Sequence, residues 1–158
     1  MLADYGYWYN NGALYPDFCS CMVAVDSATR DNGCLEVIRG SHKLGRLEHG
    51  TVRGQNGADP ERVALAQASG METVQCELEP GWGVFFHANT LHHSAANRSP
   101  GNPRWGLVCC YNTRGNGALN GTENHPSYDM AGELEIWEDE SLLELGNAQW
   151  ARYTTASL

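Results

Sequence analysis

Short apolar runs broken by turn residues dominate the first 112 positions, and long stretches with helical spacing are rare. Phe18–Asp26, FCSCMVAVD, predicts a strand with little polarity on either face. Ser27–Gly33 ends in Asp31-Asn32-Gly33, a turn signal, and Cys34–Ile38 predicts a second strand. The two strands read as a hairpin. Arg39–Gly45 reads as a loop or a short turn of helix. Asp59-Pro60-Glu61 opens a helix: Asp59 caps it, Pro60 takes the first helical position, and Glu61 suits the positive end. That helix runs to about Ala68 and stops before Gly70. Thr73–Leu78 predicts a third strand, and Glu79-Pro80-Gly81-Trp82 a tight turn. Gly83–His87 is a fourth strand, Leu91–Ser94 a short strand or extended segment, and Arg104–Tyr111 a fifth strand.

Past Asn112 the pattern changes. Asn116–Ser127 is polar and rich in Gly and Asn, which predicts a loop. Glu133–Leu145 is acidic with interspersed apolar residues, which predicts a short helix packed on the domain or a loose tail. The expected organisation is a barrel core over 1–112 and an acidic extension over 113–158. Short strands, 18 glycines and one inserted helix indicate a mostly β fold, a barrel or sandwich with α decoration. With 158 residues and 42% hydrophobic content, the chain fits one domain with a real core.

Charge narrows the partners. Nineteen acidic residues against 10 basic ones give a net charge of −9. That disfavours nucleic acid and anionic membranes, which need basic patches, and leaves a small molecule as the expected partner. The six cysteines (Cys19, Cys21, Cys34, Cys76, Cys109, Cys110) fall in apolar runs and form no CxxC, so they read as buried free thiols in a reducing cytoplasm. No signal peptide, transit peptide or membrane span is visible, and Met1 opens directly into structured-looking sequence.

The candidate chemistry concentrates in Thr90–Trp105, TLHHSAANRSPGNPRW. His92 offers an imidazole, Ser94 a hydroxyl and Arg104 a guanidinium, on adjacent strands of a small barrel. An imidazole can hold a metal, and a guanidinium fork can hold the far carboxylate of an acid that chelates it. A mononuclear iron site of this kind takes two imidazoles and one carboxylate, and Asp4 supplies the carboxylate. His93 faces away from His92 in an extended segment, and His87 lies five residues off, so neither is an attractive substitute ligand. His49 and His125 read as plain polar positions. Tyr5, Tyr7, Trp8 and Tyr9 read as core or pocket wall, because no basic residues interleave them.

DYGYWYNNGALYPDF, DNGCLEVIRGSHKLGRLEHG, LEPGWGVFFHANTLHHSAANRS and PRWGLVCCYN together resemble the phytanoyl-CoA dioxygenase family of Fe(II)/2-oxoglutarate oxygenases, over nearly all of Asp4 to Asn112. The resemblance implies a double-stranded β-helix, a jelly-roll or cupin-like barrel, with the N-terminal part of the family domain missing. It implies Fe(II) as metal and 2-oxoglutarate as cosubstrate. Position by position, it puts Asp4 in the carboxylate place, His92 in the distal imidazole place, Arg104 as the cosubstrate-binding arginine and Ser94 as its hydrogen-bonding companion. It assigns no role to His42.

The chain departs from the family pattern at the first metal histidine, which matches Leu2, and at the intervening glutamine, which matches Ala3. With Asp4 on a terminus expected to fray, weak or absent Fe(II) binding follows. The resemblance implies a dioxygenase that hydroxylates a small organic substrate in its complete form. The Leu2 departure implies the alternative, a non-catalytic barrel that binds a small acid or a protein partner. A barrel without its bracing layer exposes apolar strand edges, which predicts poor solubility or oligomers.

Overall fold

The computed structural model describes residues 1–52, 54–113 and 116. The chain divides into two units, Met1–Tyr128 and Asp129–Leu158, and only the first holds described residues. The expectations for Glu133–Leu145, for His125 and for nearly all of Asn116–Ser127 fall outside them.

The chain opens with helix α1 (Asp4–Asn10) and continues through strands β1 (Phe18–Ala24) and β2 (Leu35–Ile38), then a 3-10 turn (Ser41–Leu44). Strands β3 (His49–Val52) and β4 (Gln55–Ala58) precede helix α2 (Pro60–Ala68). Strands β5 (Thr73–Cys76), β6 (Gly83–His87), β7 (His92–Ser94) and β8 (Gly106–Asn112) follow. The expected β architecture with α decoration is present, and every expected strand forms to within a few residues. Helix α2 starts as its sequence dictates: the Asp59 carboxylate accepts the Glu61 N–H at 2.8 Å, and Pro60 sits in the first turn.

The strands form two antiparallel three-stranded sheets, ordered β6-β1-β8 and β5-β2-β7, plus the β3-β4 ribbon. This corrects the expected hairpin of β1 with β2, which lie in different sheets. Both edges of β1 are taken, by β6 and β8. The link between β1 and β2 turns a corner instead. Asn32, fully buried, accepts the Thr29 N–H at 2.7 Å and donates to the Ser27 carbonyl at 2.7 Å. Ala28 meanwhile bridges to Leu78, at 2.8 and 2.9 Å. Gly33, at φ +83°, passes so close to the second sheet that a Cβ would lie 2.3 Å from the Ala95 carbonyl oxygen.

The register shows what the two sheets enclose. Along β1, Ser20, Met22 and Ala24 share one face and are buried. Phe86 and Val84 of β6 lie beside Ser20 and Met22 on one edge, and Cys110 and Val108 of β8 on the other. In the second sheet, Leu35 and Val37 lie across from Ser94 and His92. The Phe86 ring meets the His92 ring at 4.7 Å between centroids, so these faces look at each other. One apolar cluster (Ala3, Ile38, Ala58, Ala66, Leu91) lies behind the second sheet's β2–β7 region, and another (Tyr5, Ala13, Phe18, Ala88) packs α1 on β1.

The cysteines are less covered than expected. All six are unpaired, but only Cys21 and Cys34 are buried, and Cys110 is exposed. Strand β8, the sheet edge that carries Cys110, is open to solvent along most of its length. Among the described residues no helix is long and apolar enough to cross a membrane.

Candidate functional site

The start of the chain is stitched into the second sheet. Leu2 forms an antiparallel bridge with His92, each N–H reaching the other's carbonyl at 2.8 Å. The Met1 carbonyl accepts from Ala58 N–H at 3.0 Å, and Tyr5 N–H reaches the Ala88 carbonyl at 3.0 Å. The expected frayed terminus is therefore corrected: Asp4 stands at the first position of α1, between fixed neighbours.

Asp4 lies between the two sheets. Its Oδ2 accepts the Ser20 hydroxyl of the first sheet at 2.5 Å. Its Oδ1 lies 3.6 Å from His92 Nε2 of the second. Both side chains are largely buried, His92 at 13% and Asp4 at 16% exposure. His92 Nδ1 is 2.9 Å from the Thr90 carbonyl. A carbonyl only accepts, so Nδ1 carries the proton in the neutral ring and Nε2 presents its lone pair toward Asp4. That tautomer is the one a metal ligand needs.

His93 turns to the other face of β7, where Nε2 lies 3.3 Å from Glu36 Oε2. Ser94 shares the face of His92 but is exposed. Arg104, half-buried, precedes β8, and its Nε donates to the Asn32 carbonyl at 3.3 Å. Gly33, next in the chain, abuts Ala95, which follows Ser94. Arg104 and Ser94 therefore lie at the same end of the barrel. Among the described residues Arg104 makes no ion pair.

Two polar residues near the site escape the sequence reading. Ser20 is the lone hydroxyl in an apolar strand, and alternation puts it opposite Cys19 and Cys21, on the inner face. Cys110 lies across β1 from it, Sγ 3.6 Å from Ser20 Oγ. Although the residue as a whole is exposed, partial burial of its sulfur raises the Cys110 thiol pKa, the Ser20 hydrogen bond lowers it and Asp4 nearby raises it. That thiol stays protonated at neutral pH.

The bridge decides whether three metal donors are present. Residues paired directly across an antiparallel ladder send their side chains to the same face, with Cα atoms about 5.5 Å apart when they exchange both hydrogen bonds. Leu2 therefore occupies the place beside His92 and Asp4 from which a third donor would reach the same ion. Among the described residues, no group of three or more His, Cys, Asp or Glu side chains is arranged to hold a metal. Two side chains there, Asp4 and His92, have the chemistry of metal donors, and among the described residues a three-donor facial site does not fit as they stand.

Residues 3–106 match the family model for phytanoyl-CoA dioxygenase (PhyH). The chain belongs to the phytanoyl-CoA dioxygenase family. It is 34% identical over 84 residues to a probable phytanoyl-CoA dioxygenase of Caenorhabditis elegans, covering 52% of this chain and 27% of that protein. It is 25% identical over 138 residues to the L-proline trans-4-hydroxylase of Streptomyces griseoviridis, covering 78% of this chain and 49% of that protein. Its fold is similar to that of EctD from S. alaskensis solved with 2-oxoglutarate and 5-hydroxyectoine, at a TM-score of 0.61 and 26% identity over 74% of this chain and 39% of that one. The chain thus spans less than half the length of each of these proteins. The fold is the double-stranded β-helix of the Fe(II)/2-oxoglutarate oxygenases.

Proposed function

We propose that this barrel belongs to an Fe(II)/2-oxoglutarate-dependent dioxygenase-like protein that hydroxylates a small organic substrate when three metal donors are in place. The observation that carries this reading is the Asp4–His92 pair, 3.6 Å apart between facing sheets, with the imidazole tautomer set by Thr90. Asp4 and His92 are two of the donors, and Ser20 orients the Asp4 carboxylate. Arg104 grips the distal carboxylate of 2-oxoglutarate, and Ser94 adds a hydroxyl donor beside it. Fe(II), when bound, supplies the oxygen chemistry. Six unpaired cysteines support a cytoplasmic setting, and exposed Trp82, Phe85 and Trp105 support association through the open sheet.

A second reading rests on Leu2: the barrel binds the dicarboxylate and carries out no oxidation. Calorimetry with 2-oxoglutarate, followed by a succinate-release assay with Fe(II) and ascorbate, separates the two. Turnover once a third donor is supplied, in Leu2→His, supports the first reading. Binding without turnover in that chain supports the second. Absence of binding removes the assigned role of Arg104 from both.

A further inference from the structure

An imidazole outside the Asp4–His92 pair grips the same stretch of backbone. His49 opens β3, and its Nδ1 lies 2.8 Å from the Leu47 carbonyl. The proton therefore sits on Nδ1, and Nε2 keeps its lone pair. That lone pair accepts the Ala3 backbone N–H at 3.0 Å. Ala3 directly precedes Asp4, is 1% exposed and caps α1 without a side-chain hydrogen bond. Without His49 its N–H would be a buried donor lacking this acceptor, which is costly.

Two further features fit the same arrangement. Helix α1 carries Gly6 where the His49 ring approaches, and a Cβ there would lie 1.8 Å from Nδ1. The ribbon that carries His49 also holds Met1, through the Ala58 N–H. Burial lowers the His49 pKa from 6.5, against smaller opposing effects of the Leu47 hydrogen bond, Glu48 and Asp4, so the ring stays a neutral acceptor at physiological pH.

We infer that His49 is a positioning residue, which fixes the Leu2–Asp4 backbone so that the Asp4 carboxylate meets His92. Its consequence for metal binding rests on the reading of Asp4 and His92 as donors, and its hold on Ala3 does not. Metal donors tolerate only a few tenths of an ångström of displacement. Where a third donor is supplied at position 2, loss of the His49 acceptor is felt as weakened metal affinity.

The experiment has two arms. In the first, amide exchange at Ala3 is followed by NMR in the wild type, His49→Leu and His49→Gln. The Gln side chain carries an acceptor near the position of Nε2. Exchange at Ala3 rises about tenfold or more in His49→Leu and returns toward wild type in His49→Gln. In the second, Mn(II) binding is measured with Leu2→His added to each chain. His49→Leu weakens it about 10- to 100-fold, the range for residues that orient metal donors, and His49→Gln restores most of it. Unchanged Ala3 exchange in His49→Leu overturns the inference. So does equal loss of Mn(II) affinity in both His49 variants. If His49→Leu does not fold, retained Ala3 protection in His49→Gln supports the inference and its loss overturns it. If Leu2→His alone fails to bind Mn(II), the reading of Asp4 and His92 as donors falls, while the Ala3 arm still decides on His49.

Discussion

Leu2 and His92 exchange both backbone hydrogen bonds across an antiparallel bridge, so an isobutyl group stands on the face where Asp4 and His92 converge. The bridge makes position 2 a geometric neighbour of Asp4 and His92, whatever residue occupies it. A change of side chain alone should therefore change the donor count. Leu2→His is expected to convert weak or undetectable Mn(II) binding into one-to-one binding, tighter by roughly 100-fold or more, equivalent to about 3 kcal/mol. Calorimetry or electron paramagnetic resonance titration reads it. Equal affinity in the two proteins would mean that the bridge does not aim position 2 at the ion.

Ser20 holds Asp4 from the opposite sheet. Its hydroxyl donates to Oδ2 at 2.5 Å, and the carboxylate is mostly buried. Removing the donor leaves a charged oxygen short of a partner in a confined place. Hydrogen bonds to charged groups contribute about 1.5–3 kcal/mol, and the partial exposure of Asp4 reduces that. Ser20→Ala is expected to lower stability by about 1–2 kcal/mol at neutral pH, read as a shift in urea midpoint with unchanged slope. Ser20→Cys keeps the volume but only a weak donor, and should recover little of the loss.

The parts of this molecule legible in its sequence are those where local chemistry agrees with tertiary context. Asp59-Pro60-Glu61 starts a helix on its own terms, and the apolar runs Phe18–Ala24 and Gly83–His87 mark strands directly, the first mostly buried and the second half-exposed. Asp31-Asn32-Gly33 misleads because the turn signal is genuine while its use is not local. Asn32 spends its side chain on the loop backbone, and the strands on either side join different sheets. Helix α1 is illegible because its aromatic sequence has no cap. It is held by Trp8 stacked on Phe18 and by the Tyr5 hydroxyl bonded to the Leu14 carbonyl. The β3-β4 ribbon is half-exposed and polar, with no apolar alternation to read. At the site, residue type and family pattern make His92, Asp4 and Arg104 candidates, and the fold brings Asp4 and His92 together. They do not single out His49, because nothing in its neighbours says that a backbone N–H 46 residues away will need an acceptor.

Arg104 is anchored by one nitrogen and unpaired with any acid among the described residues. With Nε on the Asn32 carbonyl, the two terminal nitrogens are the natural fork for a carboxylate. Arg104→Met should weaken 2-oxoglutarate binding by about 10- to 100-fold, and Arg104→Lys should recover only part of it, because an ammonium keeps the charge but not the fork. Calorimetry against 2-oxoglutarate and against monocarboxylic pyruvate checks the assignment. The variant should lose affinity for the dicarboxylate and little for pyruvate. Equal losses for both acids would place Arg104 away from the distal carboxylate.

The neutral state of His49 ties stability to pH. Its folded pKa is below 6.5, chiefly because burial disfavours the charged ring. The unfolded chain therefore takes up a proton at a higher pH than the folded one does. Between those two values the unfolded state binds more protons, so stability falls as pH falls. The contribution is fully present above about 6.5 and is lost progressively on acidification toward the lower folded pKa. A protonated ring would also point an N–H at the Ala3 N–H in place of an acceptor. In urea melts from pH 7.5 to pH 5, the wild type is expected to lose more stability than His49→Gln, which carries no titrating group at that position. If the two pH profiles run parallel, His49 does not stay neutral in the folded chain, and its bond to Ala3 is not the one drawn from the geometry.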